Sequence, residues 1–352
     1  MPTYKDEKTG LWYCKFVFTD WLGNKKQKKK MGFKLQKDAK IYEFEFLSKE
    51  NASCDMSFSS MVSLYMEDCK ARLKPTTYEG KEFLFNAHVL PFFRSMPINT
   101  ITATTIRKWQ TEMISKKNKY SATYLKAIHN QVSAIFNYAS KYYKLAENPA
   151  RVCGSMGKKN ADAMKFWMID EFSQFVSTVE DKLMSKTIFN LLFWSGMRSG
   201  ELLALTLNDF DFDAQTVSIS KNYARVKRQD YILPPKMPKS KRKITLPPFL
   251  CDIVKEYVEK LVCYDPGHRL FNVTKNYIRS EMVRGCKKSG VKKIRVHDLR
   301  HSHASLLIEM GFSPLLLSER LGHEDIKTTL QTYSHLYPNK QAEVAEKLQM
   351  LH

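Results

Sequence analysis

Residues 151–163 (RVCGSMGKKNADA) are small, basic and contain glycine, and the sequence on both sides of them is patterned for helices. Such a composition is typical of a linker between domains. The chain has 352 residues, which is more than a single hydrophobic core usually organises. We therefore predict several domains, with one boundary at this segment and a C-terminal domain spanning residues 164–352.

The N-terminal segment, residues 1–52, predicts a small α+β domain. Residues 11–18 (LWYCKFVF) are aromatic and β-branched, a turn follows at Asp20–Asn24, and a basic strand comes next. Residues 37–47 (KDAKIYEFEFL) have the pattern of a helix. The basic strand offers lysines for contact with DNA, although a charge run can also be a solvated face. These lysines are Lys25, Lys26, Lys28, Lys29 and Lys30.

Residues 57–152 predict an all-helical domain, because apolar side chains recur there at the helical period. Ser121 can cap a long helix, and Asn148–Pro149 is expected to end the unit. The positions expected on buried helix faces are Ile106, Trp109, Met113, Ile114, Leu125, Ile128, Val132, Ile135, Phe136 and Ala139.

The C-terminal domain is predicted to be mainly helical with a small sheet. Asp170 can cap one helix, and the next helix stops at Ser195–Gly196. Residues 215–220 (QTVSIS) alternate as a strand does, and residues 242–246 (RKITL) are a plausible partner strand.

The charge balance predicts a polyanionic partner. Lys and Arg number 57 against 36 Asp and Glu, a formal net charge of +21, and such an excess favours nucleic acid. A membrane surface is the weaker alternative, because neither a membrane-spanning segment nor a signal peptide is expected. The seven cysteines form no CxxC pair. They argue against a disulfide framework or a Cys-rich zinc site and indicate a reducing cytoplasm.

The segment SGMRSGELLAL, residues 195–205, places Arg198 after a glycine break and Glu201 on the same face of the helix that follows. A guanidinium oriented by a carboxylate can bind two oxygens of one phosphate. A surface ion pair is the alternative interpretation.

Residues 233–247 (LPPKMPKSKRKITLP) place several cations in the connection before a strand. A lysine at such a tip can give a proton to a leaving oxygen, and a basic loop without chemistry is the alternative. The residues alone do not distinguish Lys236, Lys239, Lys241, Arg242 and Lys243.

Residues 296–311 (VHDLRHSHASLLIEMG) place His297 and Arg300 on one helical face, where both can contact a phosphate. His301 and Ala304 follow the same helical spacing. HDLRH is also a near match to the zinc-protease pattern HExxH, with Asp298 in place of Glu. The cation at Arg300 and the net charge favour phosphate over zinc.

Residues 313–338 (SPLLLSERLGHEDIKTTLQTYSHLYP) begin a helix at Ser313, which Gly322 ends. His323 lies just past that end, and Asp325 begins a further helix that carries Tyr333. A tyrosine at such a position is by default half-buried packing.

The order of these motifs along the chain resembles that of the tyrosine recombinase (phage integrase) family. The order is Arg198, a lysine-rich hairpin, His297-x-x-Arg300, Leu-Gly-His323 and Tyr333. The resemblance covers the whole C-terminal domain. It extends more loosely to the first two domains as the three-part layout of integrases from phages and conjugative transposons of Gram-positive bacteria.

The resemblance implies a set of catalytic roles without metal or any cofactor. Arg198 and Arg300 would bind the scissile phosphate, His297 would assist proton transfer, and His323 would donate a hydrogen bond to the phosphate. Glu201 would hold this framework in place. Tyr333 would be the nucleophile and form a 3′-phosphotyrosine, with Tyr223, Tyr231 and Tyr337 as less well-placed tyrosines.

The family's hairpin lysine would protonate the leaving 5′ oxygen. Its usual pattern begins with Lys-Thr and continues with Ser-x-Arg-x-Ile, which matches Lys236, Ser240, Arg242 and Ile244 here. Met237 replaces the usual threonine, so Lys239 is the fallback. Arg242 is also predicted to contact DNA.

The resemblance also implies partners. The first domain would be a three-stranded sheet with a helix that binds arm-type DNA, and the second would bind the core site. Double-stranded DNA, a homotetramer, and an excisionase or host DNA-bending protein are the expected partners, in the bacterial cytoplasm. The tail after Pro338 would dock on a neighbouring protomer or pack in cis. A Xer-like resolvase, a type IB topoisomerase and a non-catalytic DNA-binding regulator are the alternatives.

Overall fold

The computed structural model describes residues 3–7, 9–19, 25–50, 56–115, 120–158, 165–235, 237–336 and 349. The chain forms two compact units, residues 1–162 and residues 163–352. The first unit contains two separate hydrophobic clusters, one among residues 12–46 and one among residues 56–156. The second unit contains a large cluster and a smaller C-terminal one.

The N-terminal part is an antiparallel sheet of order β1-β2-β3 with one helix against it. Alternate side chains of β2, among them Cys14 and Phe16, point to the helix and are buried with Ala39. The predicted turn at residues 20–24 lies outside the described residues. The elements are β1 (Thr3–Lys5), β2 (Trp12–Thr19), β3 (Lys25–Phe33) and α1 (Gln36–Glu50).

The rest of the first unit is helical. Ser57 caps α2. Ser121 caps α6 by accepting a hydrogen bond from Tyr124 N, as the sequence predicts. A π-helical segment, Phe85–Val89, joins α3 to α4, and a 3₁₀ turn covers Ile98–Thr100. The helices are α2 (Phe58–Arg72), α3 (Pro75–Leu84), α4 (Leu90–Phe93), α5 (Ala103–Ser115), α6 (Ala122–Tyr142) and α7 (Pro149–Cys153).

Two predictions for this part are wrong. Ile114 is 52% exposed, because Gln110 takes the inward position and bonds His129 and the Gly154 carbonyl there. Asn148 does not end the unit: its side chain caps α7, and Met156 beyond that helix is still buried in the same cluster. The predicted linker therefore begins as part of the helical core.

The second unit is mainly helical with two small antiparallel sheets, of order β4-β5-β8 and β6-β7. The predicted pairing is confirmed, since β5 pairs with β8 through Val217 and Ile244. No helix among the described residues is apolar over enough length to span a membrane. The elements are α8 (Ile169–Ser177), α9 (Leu183–Ser195), α10 (Ser199–Leu202), β4 (Phe210–Asp211), β5 (Thr216–Ile219), β6 (Asn222–Val226), β7 (Gln229–Leu233), β8 (Arg242–Thr245), α11 (Pro248–Glu259), α12 (Lys275–Ser289), α13 (Asp298–Glu309), α14 (Pro314–Leu321) and α15 (Ile326–Tyr333), with 3₁₀ turns at Leu207–Asp209, Pro238–Ser240 and Ser334–Leu336.

The helix ends that frame the site follow the predicted signals with one exception. Ser313 caps α14, Gly322 ends it, and Asp325 caps α15. Asp170 was expected to cap α8 but lies inside its first turn, because the Glu171 carboxylate accepts a hydrogen bond from Met168 N and so fixes the start earlier.

Candidate active site

Arg198 lies in the turn between α9 and α10, where Gly196 ends α9 in the left-handed conformation, with φ of 66°. A Cβ at Gly196 would lie 2.5 Å from the His303 ring, so the turn needs glycine for its φ and for this close approach. Arg198 Nη1 donates to Glu201 Oε1 at 2.8 Å. The Arg198 side chain is 35% exposed, so it is oriented and still open to a ligand.

Glu201 joins two arginines at the base of the site. Its side chain is 3% exposed and accepts hydrogen bonds from Arg198 and from Arg242, the latter at 2.9 Å and 3.3 Å. Burial alone raises the pKa of Glu201, but the hydrogen bond from Arg242 and the charges of both arginines outweigh it and lower the pKa below its usual value. Glu201 is therefore a buried carboxylate that orients Arg198.

Arg242 departs from its predicted contact with DNA. Its side chain is 7% exposed, and its donors bond Glu201, the Arg320 carbonyl at 2.8 Å and the Ser240 carbonyl at 3.0 Å. Since these partners occupy the guanidinium inside the protein, Arg242 acts on the carboxylate of Glu201 rather than on a solvent-facing ligand.

Arg300 is buried on α13, with 3% exposure. Nη1 donates to the Gly196 carbonyl at 2.9 Å and Nη2 to the Leu321 carbonyl at 2.6 Å. The C-terminal ends of α9 and α14 therefore fix the plane of the guanidinium group. Burial, followed by the charge of Arg198, lowers the pKa of Arg300 to about 9, which keeps it protonated at neutral pH. A buried cation beside a second cation favours binding of an anion.

His297 and His323 lie beside this pair of arginines. His297 stands exposed at the N-terminus of α13, and desolvation together with Arg300 and Arg198 lowers its pKa. His323 Nδ1 lies 2.7 Å from the Thr329 hydroxyl. Burial and the charges of Arg300 and Arg198 lower the pKa of His323 to about 4, so its imidazole is neutral at physiological pH.

Tyr333 ends α15 and is 1% exposed. Burial raises its pKa to about 12, while the charges of Arg300 and Arg198 act in the opposite direction. Its hydroxyl lies 2.7 Å from His301 Nδ1. The sequence placed His301 on the helix but gave it no role, and its spacing from His297 was the available signal.

The hairpin lysines are only partly located. Lys236 lies outside the described residues. Lys239 is exposed, and its Nζ donates to the Glu324 carbonyl at 3.0 Å, next to His323. Lys243 pairs with Asp211 at 3.6 Å. The fallback residue Lys239 thus contacts the backbone of the residue that follows His323.

Two residues that support Arg242 were missed by the sequence analysis. Arg320, whose carbonyl accepts from Arg242, donates from Nε to His303 Nε2 at 3.0 Å. His303 is 2% exposed, and burial, followed by the charge of Arg320, lowers its pKa to about 3. Because these contacts join distant segments of the chain, the local periodicity of the sequence does not predict them.

The zinc-protease alternative receives no support from Asp298. Its carboxylate accepts two hydrogen bonds from Arg295 Nε at 3.0 Å and 3.1 Å, and one from Nη2 at 2.8 Å. In the part of the chain that the structure describes, no three His, Cys, Asp or Glu side chains form a group able to hold a metal.

The predicted DNA-contacting lysines of β3 lie on two faces of the N-terminal sheet. Lys28 pairs with Phe16 on the helix side, and its Nζ lies 3.7 Å from the centroid of Phe46. Lys29 pairs with Lys15 on the open side, and its Nζ lies 4.5 Å from the centroid of Tyr13. The register places Lys26 and Lys30 on the helix side and Lys25 on the open side.

Three family models match the chain. Residues 165–340 match the phage integrase family, residues 57–114 match a phage integrase N-terminal SAM-like domain, and residues 2–49 match an arm DNA-binding domain. The matches follow the same order as the predicted domains.

Individual relatives agree with these matches. The ICEBs1 integrase of Bacillus subtilis is 30% identical over 330 residues, which cover 89% of this chain and 88% of the relative. The Tn1549 transposon integrase, solved with a circular intermediate DNA, aligns with a TM-score of 0.70 at 19% identity and covers 84% of this chain and 100% of that one. A lambda integrase tetramer bound to a Holliday junction gives a TM-score of 0.58 at 15% identity over 92% of this chain and 96% of that one.

Proposed function

The chain belongs to the phage integrase family of tyrosine recombinases, and from this we propose how its residues cut and rejoin DNA. It is a tyrosine-type site-specific recombinase that acts on mobile-element DNA. We assign Tyr333 as the nucleophile that forms a 3′-phosphotyrosine. The observation that carries this assignment is the position of its hydroxyl, buried at the end of α15 and 2.7 Å from His301 Nδ1, close to the charges of Arg300 and Arg198.

Arg198 and Arg300 bind the scissile phosphate in this proposal. Arg300 uses two of its five N–H donors on protein carbonyls, which leaves donors for phosphate oxygens. Phosphoryl transfer passes through a crowded anion, and rigid guanidinium groups stabilise its charge without reorganising. Glu201 and Arg242 are positioning residues. Glu201 bonds Arg198, and Arg242 bonds Glu201, so both act on the phosphate through Arg198.

The histidines and the hairpin supply the remaining contacts. With Thr329 on its Nδ1, His323 can present Nε2–H to a phosphate oxygen. We assign His297 to proton transfer at the mouth of the site. A hairpin lysine, Lys236 or Lys239, protonates the departing 5′ oxygen.

Arm-type DNA contacts the open face of the N-terminal sheet in this proposal. That face carries Lys15, Lys29 and Tyr13, and the exposed Val17 lies beside them. Lys28 instead covers Phe46. The match of residues 2–49 to an arm DNA-binding domain supports two classes of DNA site and disfavours a resolvase without such a domain.

We propose that the chain integrates and excises a mobile element as a homotetramer on DNA. The similarity to the ICEBs1 integrase supports integration over a chromosome-resolving role, and the tetrameric lambda structure supports the assembly. An excisionase or a host DNA-bending protein would set the direction. The C-terminal tail, predicted either to dock on a neighbouring protomer or to pack in cis, lies outside the described residues apart from residue 349.

The test uses nicked suicide duplexes that tile the DNA on both sides of the gene for this chain, with EDTA present. A covalent protein–DNA adduct is expected on a denaturing gel. It should vanish in Tyr333→Phe and persist in Tyr231→Phe, which changes a tyrosine whose hydroxyl donates to Gln229 on β7. Cleavage that requires a divalent metal and leaves no adduct would overturn the proposal.

A further inference from the structure

His301 contacts the atom that the proposed reaction needs. Its Nδ1 lies 2.7 Å from the Tyr333 hydroxyl, and the two ring centroids are 5.6 Å apart. His301 is half-buried on α13, whereas Tyr333 is 1% exposed at the end of α15. The buried Tyr333 hydroxyl is therefore within hydrogen-bonding distance of an imidazole nitrogen.

We propose that His301 is a further catalytic residue, which holds the Tyr333 hydroxyl and accepts its proton as the oxygen attacks the phosphate. This inference rests on the proposed function, because it requires Tyr333 to be the nucleophile. It requires the tautomer with the proton on Nε2, so that the Nδ1 lone pair faces the phenol.

The proton balance closes within the two steps of the reaction. In the first step the Tyr333 O–H bond breaks and its proton passes to His301 Nδ1, while His297 assists from a ring 5.3 Å away without taking up the proton itself. The phenolic oxygen bonds to phosphorus, and the bond to the 5′ oxygen breaks while a hairpin lysine protonates that oxygen. In the second step a 5′-hydroxyl attacks phosphorus, and its proton returns to the lysine. The Tyr333 oxygen then leaves and recovers its proton from His301.

The charges that face His301 come from several elements. His297, Asp298 and Arg300 lie on or beside the start of α13, and the His297 ring is 5.3 Å from the His301 ring. Arg295 faces it from the preceding loop and His323 from the segment between α14 and α15.

Burial, followed by His297 and the arginines, lowers the pKa of His301 to about 4 in the free protein, while Asp298 acts in the opposite direction. A phosphodiester bound to the arginines brings negative charge that offsets these cations and raises the proton affinity of the imidazole. His301 therefore becomes an effective proton acceptor when DNA occupies the site.

The test compares His301→Asn and His301→Ala with wild type. The asparagine amide can still bond the phenol but has no titratable nitrogen, whereas alanine removes both properties. Single-turnover adduct formation is followed at saturating suicide duplex from about pH 6 to about pH 10, which spans ordinary His and Tyr pKa values. His268→Ala is the matched control, since His268 is exposed and its ring pairs with Asp265.

At neutral pH we expect His301→Asn to form adduct roughly 100-fold more slowly than wild type, with DNA affinity unchanged. The wild-type rate of adduct formation should level off with rising pH, once the imidazole is neutral. The His301→Asn rate should keep rising as more of the Tyr333 phenol ionises, so that the ratio of the two rates falls. A loss by the same factor at every pH, an unchanged rate or a faster rate would each overturn the proton-acceptor role.

Parallel reactions of wild type and Tyr333→Phe separate this inference from the proposed function. A wild-type adduct that depends on Tyr333 but is insensitive to His301 would overturn this inference alone. If no duplex in the tiled set gave a wild-type adduct, or if Tyr333→Phe still formed one, both would fall.

Discussion

Arg242 donates hydrogen bonds to both carboxylate oxygens of Glu201, at 3.3 Å and 2.9 Å. The same carboxylate orients Arg198, which is far more exposed than Arg242. One buried acid thus bonds a buried cation and a more exposed cation, which we propose binds the phosphate, and the two arginines should respond differently to substitution.

Arg242→Ala should destabilise the catalytic unit, because it removes the buried cation that bonds both oxygens of Glu201 and leaves the more exposed Arg198 to compensate that charge. The cost of breaking such a buried pair is about 3 kcal/mol. Arg198→Ala leaves Glu201 paired with Arg242, so we expect a near-normal thermal midpoint but loss of DNA cleavage. Thermal unfolding and the adduct assay on both variants measure this; equal destabilisation by the two substitutions would contradict the division of roles.

Stability should fall as the pH is lowered below 6.5, the ordinary histidine pKa. Burial lowers the pKa of His303 to about 3 and those of His301 and His323 to about 4. In this window the unfolded chain binds protons that the folded chain does not, so stability present above pH 6.5 is lost towards the folded pKa values. We expect the thermal midpoint to depend less steeply on pH in His303→Asn than in wild type across this range. Equal pH dependence in the two proteins would contradict a buried, neutral His303.

Lys29→Ala should weaken binding of arm-type DNA and reduce the slope of log affinity against log salt by about 0.9, the effect of losing one phosphate contact. Lys28→Ala is the matched control, because the neighbouring lysine lies over Phe46 on the other face. Titrations at several salt concentrations provide the measurement. A smaller slope for Lys28→Ala but not for Lys29→Ala would mean that the opposite face binds DNA.

Gly196→Ala should impair both stability and cleavage. The substitution places a Cβ 2.5 Å from the His303 ring in a left-handed backbone, at a cost of about 1–3 kcal/mol, and it disturbs the carbonyl that binds Arg300. Gly290→Ala has a similar φ of 74° but nothing within 4 Å of the added atom. We expect Gly290→Ala to lower the thermal midpoint less and to leave the cleavage rate unchanged.

Local signals predicted the helix ends of the site well. Gly196, Ser313 and Gly322 act through their own backbone or the next turn, so their roles are visible in a short window of sequence. The apolar period likewise located the buried face of α6, where Val132 and Phe136 are fully buried.

Non-local contacts account for what the sequence did not predict. Arg242 is predicted to contact DNA, although it shares the inward face of β8 with Ile244. Its partner Glu201 lies 41 positions away in the sequence. The His301–Tyr333 contact joins residues 32 positions apart. The spacing of one helix shows that a side chain faces inward, but it does not show which distant group that side chain meets.

The most direct measurement maps the residue that carries the DNA. The wild-type adduct is digested with protease and nuclease, and tandem mass spectrometry locates the remaining nucleotide on the peptide that contains Tyr333. We predict that the nucleotide is attached through its 3′-phosphate to the Tyr333 oxygen. Attachment to Tyr337, to Tyr223 or to a residue other than tyrosine would contradict the assignment on which the proposed mechanism depends.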